Sequence, residues 1–298
     1  MAATLGDMEL GALGTPLAFL RTLAMAGAMT VPALVSPNAS AEVAHDSVSL
    51  SAPHKQPTRS SLDADGNLIV RYGDPDRLGR LVDQGHLGDG PNDLKALDRE
   101  HGVAVIAGKD FPSDQLTVPL TPITGVEDPR LLQPGAENYF ADAWKFARNR
   151  EDVALTVNSQ GGRSQDRLHI HADRIDPELG KQLQAQLDHG QIARDHFSAL
   201  QPIHGNHQYR AVFVEGEELT ANPLQLIHDQ MVKDHGQQYA DTHMGQHSIA
   251  VVPMTDARGQ KGFLILDGRY GQDPGLPNGP HDSGSAEEWL LGHANAPP

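Results

Sequence analysis

The chain has 298 residues, of which 38% are hydrophobic, 21% are charged and 5% are aromatic. Its 23 lysines and arginines and 39 aspartates and glutamates give a formal net charge of −16. This balance excludes a nucleic-acid polymer as partner, because such partners require a basic surface. Cysteine is absent, which excludes disulfides, thiolate metal sites and cysteine nucleophiles. The 16 histidines are the unusual feature, since histidine serves as acid, base, nucleophile and metal ligand.

The N-terminal segment, residues 1–64, differs in composition from the rest of the chain. An apolar run of small residues at 22–35 precedes an Ala-Ser-Ala sequence at 39–41, an arrangement typical of an export signal and its cleavage site. The run is too short to span a bilayer as a helix, and a leader packed on the body is the alternative. Residues 36–64 are rich in Ser, Ala and Pro and predict a linker. We therefore expect a leader and linker, and an exported protein (periplasmic, membrane-associated or secreted), with a cytoplasmic protein as the alternative.

The body contains short β-branched runs and amphipathic segments. Strands are predicted at residues 102–107, 115–119, 152–157, 168–172, 209–214, 247–253 and 262–266. Helices are predicted at 138–150, from Asp176 to about 187, and at 222–234, where apolar residues recur every three to four positions or a capping residue stands at the start. Turns at 110–114 and 256–259 join two of the strand pairs as hairpins.

These elements favour an α+β fold, with an antiparallel sheet and flanking helices, over an alternating βαβ fold. We predict one main domain over residues 65–270. A tail at 271–298 follows it, rich in Gly, Pro, Asn and Ser, with a short helix at 286–292.

His169 and His171 are the histidines best placed to do chemistry. Residues two apart in a strand point to the same face, and two buried imidazoles each need a hydrogen-bond partner. The preceding loop supplies Asn158, Ser159, Arg163, Ser164 and Gln165. An arginine and loop amides suit phosphate oxygens, and one histidine suits attack on phosphorus or general-base catalysis. Metal binding by the two histidines and a purely structural network are the alternatives.

Residues 158–171 resemble the signature of the CDP-diacylglycerol pyrophosphatase family, a branch of the histidine-triad superfamily. The family's segment is approximately N-S-x-x-G-R-[ST]-Q-[DN]-Q-L-H-I-H, and this chain departs from it at Arg167, where the family has its second glutamine. Segments at 123–132 and 138–144 are also similar to the family, and Lys109 stands at a family Lys-Asp position.

The resemblance implies a covalent mechanism that needs no metal and no cofactor. In this mechanism His171 attacks the α-phosphorus to form a nucleotidyl-histidine, His169 hydrogen-bonds near the phosphate, and water then releases the nucleoside monophosphate. The supporting residues that it implies are Asn158, Gln165 near the bridging oxygen, and Arg163 and Lys109 against the phosphate charge. Asp173 stands where the superfamily has its third histidine, and it either orients the His171 imidazolium, raises its pKa or points past the site.

The predicted function is hydrolysis of the phosphoanhydride of CDP-diacylglycerol or of a related nucleoside diphosphate conjugate. The alternatives are an exported effector, a hydrolase or transferase that acts on a non-lipid nucleotide conjugate, and a non-catalytic nucleotide- or metal-binding protein. The expected partner is a nucleotide-linked small molecule or lipid. A lipid substrate implies peripheral membrane contact through apolar residues, because a net charge of −16 disfavours electrostatic attraction to an anionic surface. The sequence leaves the oligomeric state open.

Overall fold

A computed structural model describes residues 57–66, 68–86, 94–108, 113–150, 152–203, 207–269 and 286–292. The predicted leader, most of the predicted linker and Lys109 lie outside these residues. No helix in the described part of the chain is both long and apolar enough to cross a bilayer.

An antiparallel sheet forms the centre of the fold. Two strands, β1 (Pro57–Leu62) and β2 (Leu68–Tyr72), pair as a separate ribbon. The others are β3 (Leu94–Asp98), β4 (Val103–Ala107), β5 (Gln115–Pro119), β6 (Val153–Val157), β7 (Ile170–Arg174), β8 (Ser198–Ala199), β9 (Tyr209–Glu215), β10 (His247–Thr255) and β11 (Lys261–Arg269). They form one nine-stranded sheet in the order β3-β4-β5-β7-β6-β10-β11-β9-β8, with antiparallel neighbours throughout. The predicted α+β class and both predicted hairpins are confirmed.

The helices begin where the sequence supplies caps. They are α1 (Arg77–Asp83), α2 (Tyr139–Ala147), α3 (Pro177–Asp188), α4 (Pro223–His235), α5 (Gln237–His243) and α6 (Ala286–Leu290), with short 3-10 helices at Pro129–Leu132 and Met244–Gln246. The side chains of Asn138, Asp176 and Asn222 accept hydrogen bonds from backbone N–H groups in the first turns of α2, α3 and α4. These bonds satisfy donors that a helix start leaves unpaired, and they confirm the cap predicted at Asp176.

The two faces of the sheet are covered differently. On one face α2 and α4 bury a large apolar cluster that includes Phe140 and Ile227. On the other face α3 and α6 cover β6, β9, β10 and β11 through residues such as Leu183 and Leu290. At the far end of this second face, α1 packs Leu78 and other residues on β4 and β5. Strand β7 therefore lies between two separately covered parts of the same face.

Several elements differ from the sequence prediction. Residues 57–62, placed in the linker, form β1; all six are exposed, so the strand lacks the apolar alternation that marks a half-buried strand. Strands β2 and β3 and helices α1 and α5 were not predicted, since each is short and buries few residues. The strand predicted at 168–172 instead begins at Ile170. The helix predicted in the tail is confirmed as α6, and it packs on the sheet.

Candidate active site

His171 lies in the middle of the sheet, on the face that α1, α3 and α6 cover. Its register partners are Leu116 on β5 and Thr156 on β6. The row continues into apolar residues at both ends: Ile106 on β4, Ala250 on β10 and Leu266 on β11. Because directly paired residues share a face, this row places one histidine and one threonine between two hydrophobic clusters.

Asp114 holds one edge of the His171 ring. The Nδ1–H of His171 donates a hydrogen bond to Oδ2 of Asp114, with 2.8 Å between the two atoms. Both side chains are buried. Asp114 comes directly before β5, which pairs with β7, and this position fixes its carboxylate beside the ring. The bond leaves Nε2 as the nitrogen available for chemistry, as in other sites where a carboxylate orients an imidazole.

Glu287 approaches the opposite edge of the ring from α6. Its Oε2 lies 3.3 Å from Nε2 of His171. Asn158 positions this residue at two points: its Oδ1 accepts a hydrogen bond from the backbone N–H of Glu287 at 3.0 Å, and its Nδ2 donates to Oε2 of Glu287 at 3.2 Å. Asn158 therefore holds α6 over the histidine, and its predicted supporting role in catalysis stays a prediction.

The carboxylates around His171 control its protonation. Burial by itself would lower the pKa of the imidazole, but the charges of Glu287 and Asp114, the hydrogen bond to Asp114 and the charge of Asp173 outweigh it and raise the pKa to about 9. His171 is therefore an imidazolium at neutral pH in this structure.

His169 has the opposite environment. Its ring centroid lies 5.0 Å from that of His171, so the two histidines share one face as the sequence predicted. Its Nδ1–H donates to the backbone carbonyl of Arg167 at 2.7 Å, which leaves Nε2 with its lone pair. Burial, the adjacent His171 and the charge of Arg163 lower the pKa of His169 to about 3. His169 is therefore neutral beside a charged neighbour.

The arginines predicted to hold phosphate are engaged elsewhere. Both terminal nitrogens of Arg163 bind Glu127, each at 2.6 Å, and the Arg163 side chain is buried. Arg167 pairs with Asp83 on α1. A Cβ on Gly125 would lie 1.9 Å from Arg163 Nη1, so glycine makes room for the guanidinium. Both arginines tie the loop to its surroundings, and the predicted binding of phosphate by Arg163 stays a prediction.

The remaining predicted residues lie around the loop and the end of β7. Gln165 accepts from the N–H of Leu78 and donates to the carbonyl of Asp74, each at 2.9 Å, so it anchors the start of α1 and does not face the histidines. Ser164 is exposed. Asp173 accepts from Ser113 Oγ at 2.8 Å and pairs with Arg150 at 3.3 Å. Of its predicted roles, the structure supports the charge effect on His171.

Two groups of side chains in the described residues have donor spacing compatible with a metal ion. One is Asp114, His171 and Glu287, whose donor atoms lie within 4.8 Å of one another. Its carboxylates approach different nitrogens of one ring, and the lone pairs of these nitrogens diverge, so one ion cannot take all three while the Asp114 bond remains. The other group is His101, Glu137 and Asp142 at the start of α2. The sequence prediction of no metal stays a prediction.

Three residues at or near the candidate site escaped the sequence analysis: Asp114, Glu127 and Glu287. Asp114 lies 57 residues from His171, and sheet pairing brings the two together. Glu127 stands in the segment at 123–132 that resembles the family, and this was the one signal that could have indicated it. Glu287 lies in the predicted tail helix, where nothing in the local sequence links it to a histidine.

A histidine oriented by a carboxylate, behind a polar glycine-containing loop, is an arrangement that suits nucleophilic catalysis. The family model of CDP-diacylglycerol pyrophosphatase matches residues 75–290. The chain belongs to this family, as the resemblance implied, and it is a hydrolase. The match begins just before α1 and ends with α6, so it includes Glu287.

Individual relatives agree with the family. A CDP-diacylglycerol pyrophosphatase from Yersinia pestis is 29% identical over 216 residues, which cover 66% of this chain and 78% of the relative. Crystal structures of the yeast Ap4A phosphorylase Apa2, one of them in complex with AMP, match at a TM-score of 0.38. They share 12% and 13% sequence identity, and the alignments cover 72% and 75% of this chain and 71% and 74% of the yeast protein. Scores this low define neither fold nor function.

Proposed function

We propose that the protein hydrolyses the phosphoanhydride of CDP-diacylglycerol to CMP and phosphatidate, through a nucleotidyl-histidine formed on His171. The observation that carries the proposal is a group of unpaired polar atoms at the centre of the sheet. Oγ1 of Thr156 and Oδ1 of Asp114 are buried and make no hydrogen bond within the described residues, and Nε2 of His171 has only its ion pair with Glu287 at 3.3 Å. Buried polar atoms without hydrogen bonds are rare, and their presence on and beside His171 suits a ligand that supplies the missing bonds.

The arrangement suits nucleophilic attack by Nε2. Asp114 fixes the tautomer and the orientation of the His171 ring through Nδ1, so Nε2 is the nitrogen that can attack. A positively charged imidazole attracts the anionic diphosphate before the reaction. His169 stays neutral. It therefore adds no positive charge that would lower the pKa of the neighbouring His171. The Nε2 lone pair of His169 can accept a hydrogen bond from water or from a hydroxyl group of the substrate.

A large cleft beside the histidine supports a bulky substrate. It has a volume of about 1480 Å³, and Ser113 and Asp173 line it, next to Asp114 and two residues beyond His171. Its lining includes the apolar residues Ile175, Val252 and Met254. His171 itself does not line this cleft. The proposal therefore assigns the cleft to the diacylglycerol part and the unpaired polar group to the diphosphate.

The test measures CMP release from CDP-diacylglycerol in mixed micelles. The variant is His171→Ala, and the matched control is His196→Ala, which removes a histidine whose side chain is 61% exposed. We expect H171A to lose turnover and H196A to retain it. An alkaline quench followed by mass spectrometry should reveal a CMP adduct on the peptide that contains His171 in the wild type. Undiminished turnover in H171A, or an adduct on another residue, contradicts the proposal.

A substrate panel separates the lipid from the nucleotide. CDP-diacylglycerol is compared with a short-chain analogue and with ADP- and UDP-linked sugars at equal concentration. We expect the long-chain lipid to have the highest kcat/KM and the protein to co-float with vesicles that contain it. A preference for a non-lipid conjugate supports the alternative of a hydrolase for soluble nucleotides. Binding without turnover supports a non-catalytic protein.

A further inference from the structure

We infer that Glu287 on α6 is a catalytic proton shuttle: it takes the Nε2 proton of His171 when the histidine attacks and returns a proton when water releases the nucleotide. The inference rests on the nucleotidyl-histidine proposed above. Oε2 of Glu287 lies 3.3 Å from the atom that would react. The Glu287 side chain is 24% exposed and that of His171 is 7% exposed, so the carboxylate lies between the buried nitrogen and solvent.

The other titratable groups near His171 are not placed to accept the Nε2 proton. Asp114 is bonded to the other nitrogen of the ring, at 2.8 Å. Asp173 accepts from Ser113 and pairs with Arg150. His169 lies beside the ring with a lone pair at Nε2, but burial and the adjacent His171 lower its pKa to about 3, so it is a weak base. Among the carboxylates described in the structure, Glu287 is the one placed at Nε2.

The position of Glu287 is built into the fold. Ala286 and Leu290 on α6 are fully buried in the apolar cluster under α3. The carbonyl of Leu290 accepts from the N–H of Asp176 at 3.0 Å, and Asn158 binds both the backbone and the side chain of Glu287. A surface glutamate would not keep its carboxylate beside a buried nitrogen in this way. The C-terminal helix is therefore part of the active site.

The chemistry supplies a reason for the carboxylate. A protonated Nε2 has no lone pair and cannot attack, and a charged carboxylate beside it repels an incoming phosphate. Transfer of the proton from Nε2 to Oε2 removes both obstacles. The transfer also ends the attraction that holds the side chain over Nε2, so the neutral acid can turn aside and donate to a phosphate oxygen.

The steps balance as follows. In the first step the Nε2 proton passes to Oε2 of Glu287, the Nε2–P bond forms, the bridging P–O bond breaks, and Glu287 gives its proton to the departing phosphate oxygen. In the second step Glu287 takes a proton from water, the hydroxide oxygen bonds to phosphorus, and the P–Nε2 bond breaks as Glu287 returns the proton to Nε2. The sum is one water consumed, and histidine and glutamate return to their starting states.

The test compares Glu287→Gln with the wild type in CMP release at pH 6 to 9. Glutamine keeps the backbone bond to Asn158 but cannot carry a proton. The matched control is Glu178→Gln, the same change on α3 at a side chain that is 80% exposed. We expect E287Q to lose about 10²–10⁴-fold in kcat, the usual contribution of a positioned acid or base, while KM does not rise. E178Q should match the wild type, and Glu287→Asp should recover part of the loss.

The outcomes separate this inference from the proposal that it extends. E287Q with kcat within tenfold of the wild type overturns the shuttle if H171A is inactive. A rise in KM with unchanged kcat also overturns it, because that result assigns Glu287 to binding. If H171A remains active, the proposed nucleotidyl-histidine intermediate is itself contradicted, independently of the result for E287Q. A folded E287Q, checked by thermal unfolding, that forms the CMP adduct at least a hundredfold more slowly than the wild type supports the shuttle.

Discussion

The end of the loop at His169 and the strand at His171 lie two residues apart and have opposite electrostatic environments. His169 is held by a backbone carbonyl, and burial lowers its pKa to about 3. His171 lies between two carboxylates, which overcome burial and raise its pKa to about 9. The two histidines therefore differ in protonation, because a backbone carbonyl two residues away holds His169, whereas carboxylates distant in sequence flank His171.

The same contrast applies to charge in the two regions. Along the loop, Arg163 and Arg167 are each neutralised by a carboxylate, and they hold the loop to the segment at 123–132 and to α1. Around His171, carboxylates from before β5 and from α6 converge on one imidazole. We therefore expect the loop region to act mainly as scaffold and the strand region to carry the reaction.

The largest effect is expected from Asp114→Asn. Loss of the carboxylate removes the charge that stabilises the His171 imidazolium and the bond that fixes its tautomer. We expect kcat for CMP release to fall about 10³-fold, or about 4 kcal/mol of transition-state stabilisation. Asp195→Asn, at a side chain that is 88% exposed, is the control. A kcat for D114N within fivefold of the wild-type value would show that the reaction does not depend on the carboxylate of Asp114.

The pH dependence of stability should reveal both histidines. The pKa of His171 is about 9 in the folded state against 6.5 as the ordinary value, so its contribution is fully present below pH 6.5 and is lost as pH rises to 9. A shift of this size corresponds to about 3 kcal/mol. The pKa of His169 is lowered, so the unfolded state binds the extra proton and stability falls as pH drops below 6.5.

Urea unfolding from pH 4 to pH 9 measures both the acidic and the alkaline decline in the free energy of unfolding. His171→Asn should remove the alkaline decline, and His169→Asn should reduce the acidic decline. Identical pH profiles for wild type and H171N would contradict the assignment of a charged His171.

Arg163→Ala tests whether the loop is scaffold. We expect it to lower the free energy of unfolding by about 2 kcal/mol, less than for a fully buried pair because Glu127 is 23% exposed. Arg163→Lys should restore little, since lysine cannot bind both carboxylate oxygens in the fork geometry. A variant with unchanged stability and a raised KM would instead support the phosphate-binding role that the sequence predicted for Arg163.

The smallest effect is expected from Asn158→Ala. Loss of its hydrogen bonds to α6 should cost about 1 kcal/mol of stability and lower kcat, because Glu287 is no longer held over Nε2. Asn138→Ala is the matched control, since it removes a helix cap from α2 far from the histidines. We expect similar unfolding midpoints for the two variants and a kinetic defect in N158A alone. Equal kinetics in the two variants would show that the bonds between Asn158 and α6 do not contribute to catalysis.

Local sequence patterns were enough to predict much of the fold and the two histidines at the centre of the candidate site. The β-branched runs and the apolar spacing predicted the main strands and α2 to α4, because each buries one face and so has a regular period. Elements that bury few residues, such as β1 and α1, have no such period and were missed. His169 and His171 were found because two residues two apart in a predicted strand were expected on one face. His169 lies just before the strand, but its ring still lies beside that of His171.

The sequence by itself determined the family, the antiparallel α+β class and the histidine pair, since these depend on motifs and on short-range periodicity. Only the tertiary structure decided which groups meet the pair. Asp114 reaches His171 through strand register, and Glu287 reaches it through a helix 116 residues further along the chain. Arg163 and Gln165 were expected at the phosphate but are drawn to Glu127 and α1, because buried charges and amides must be paired and those partners lie nearby only once the chain is folded.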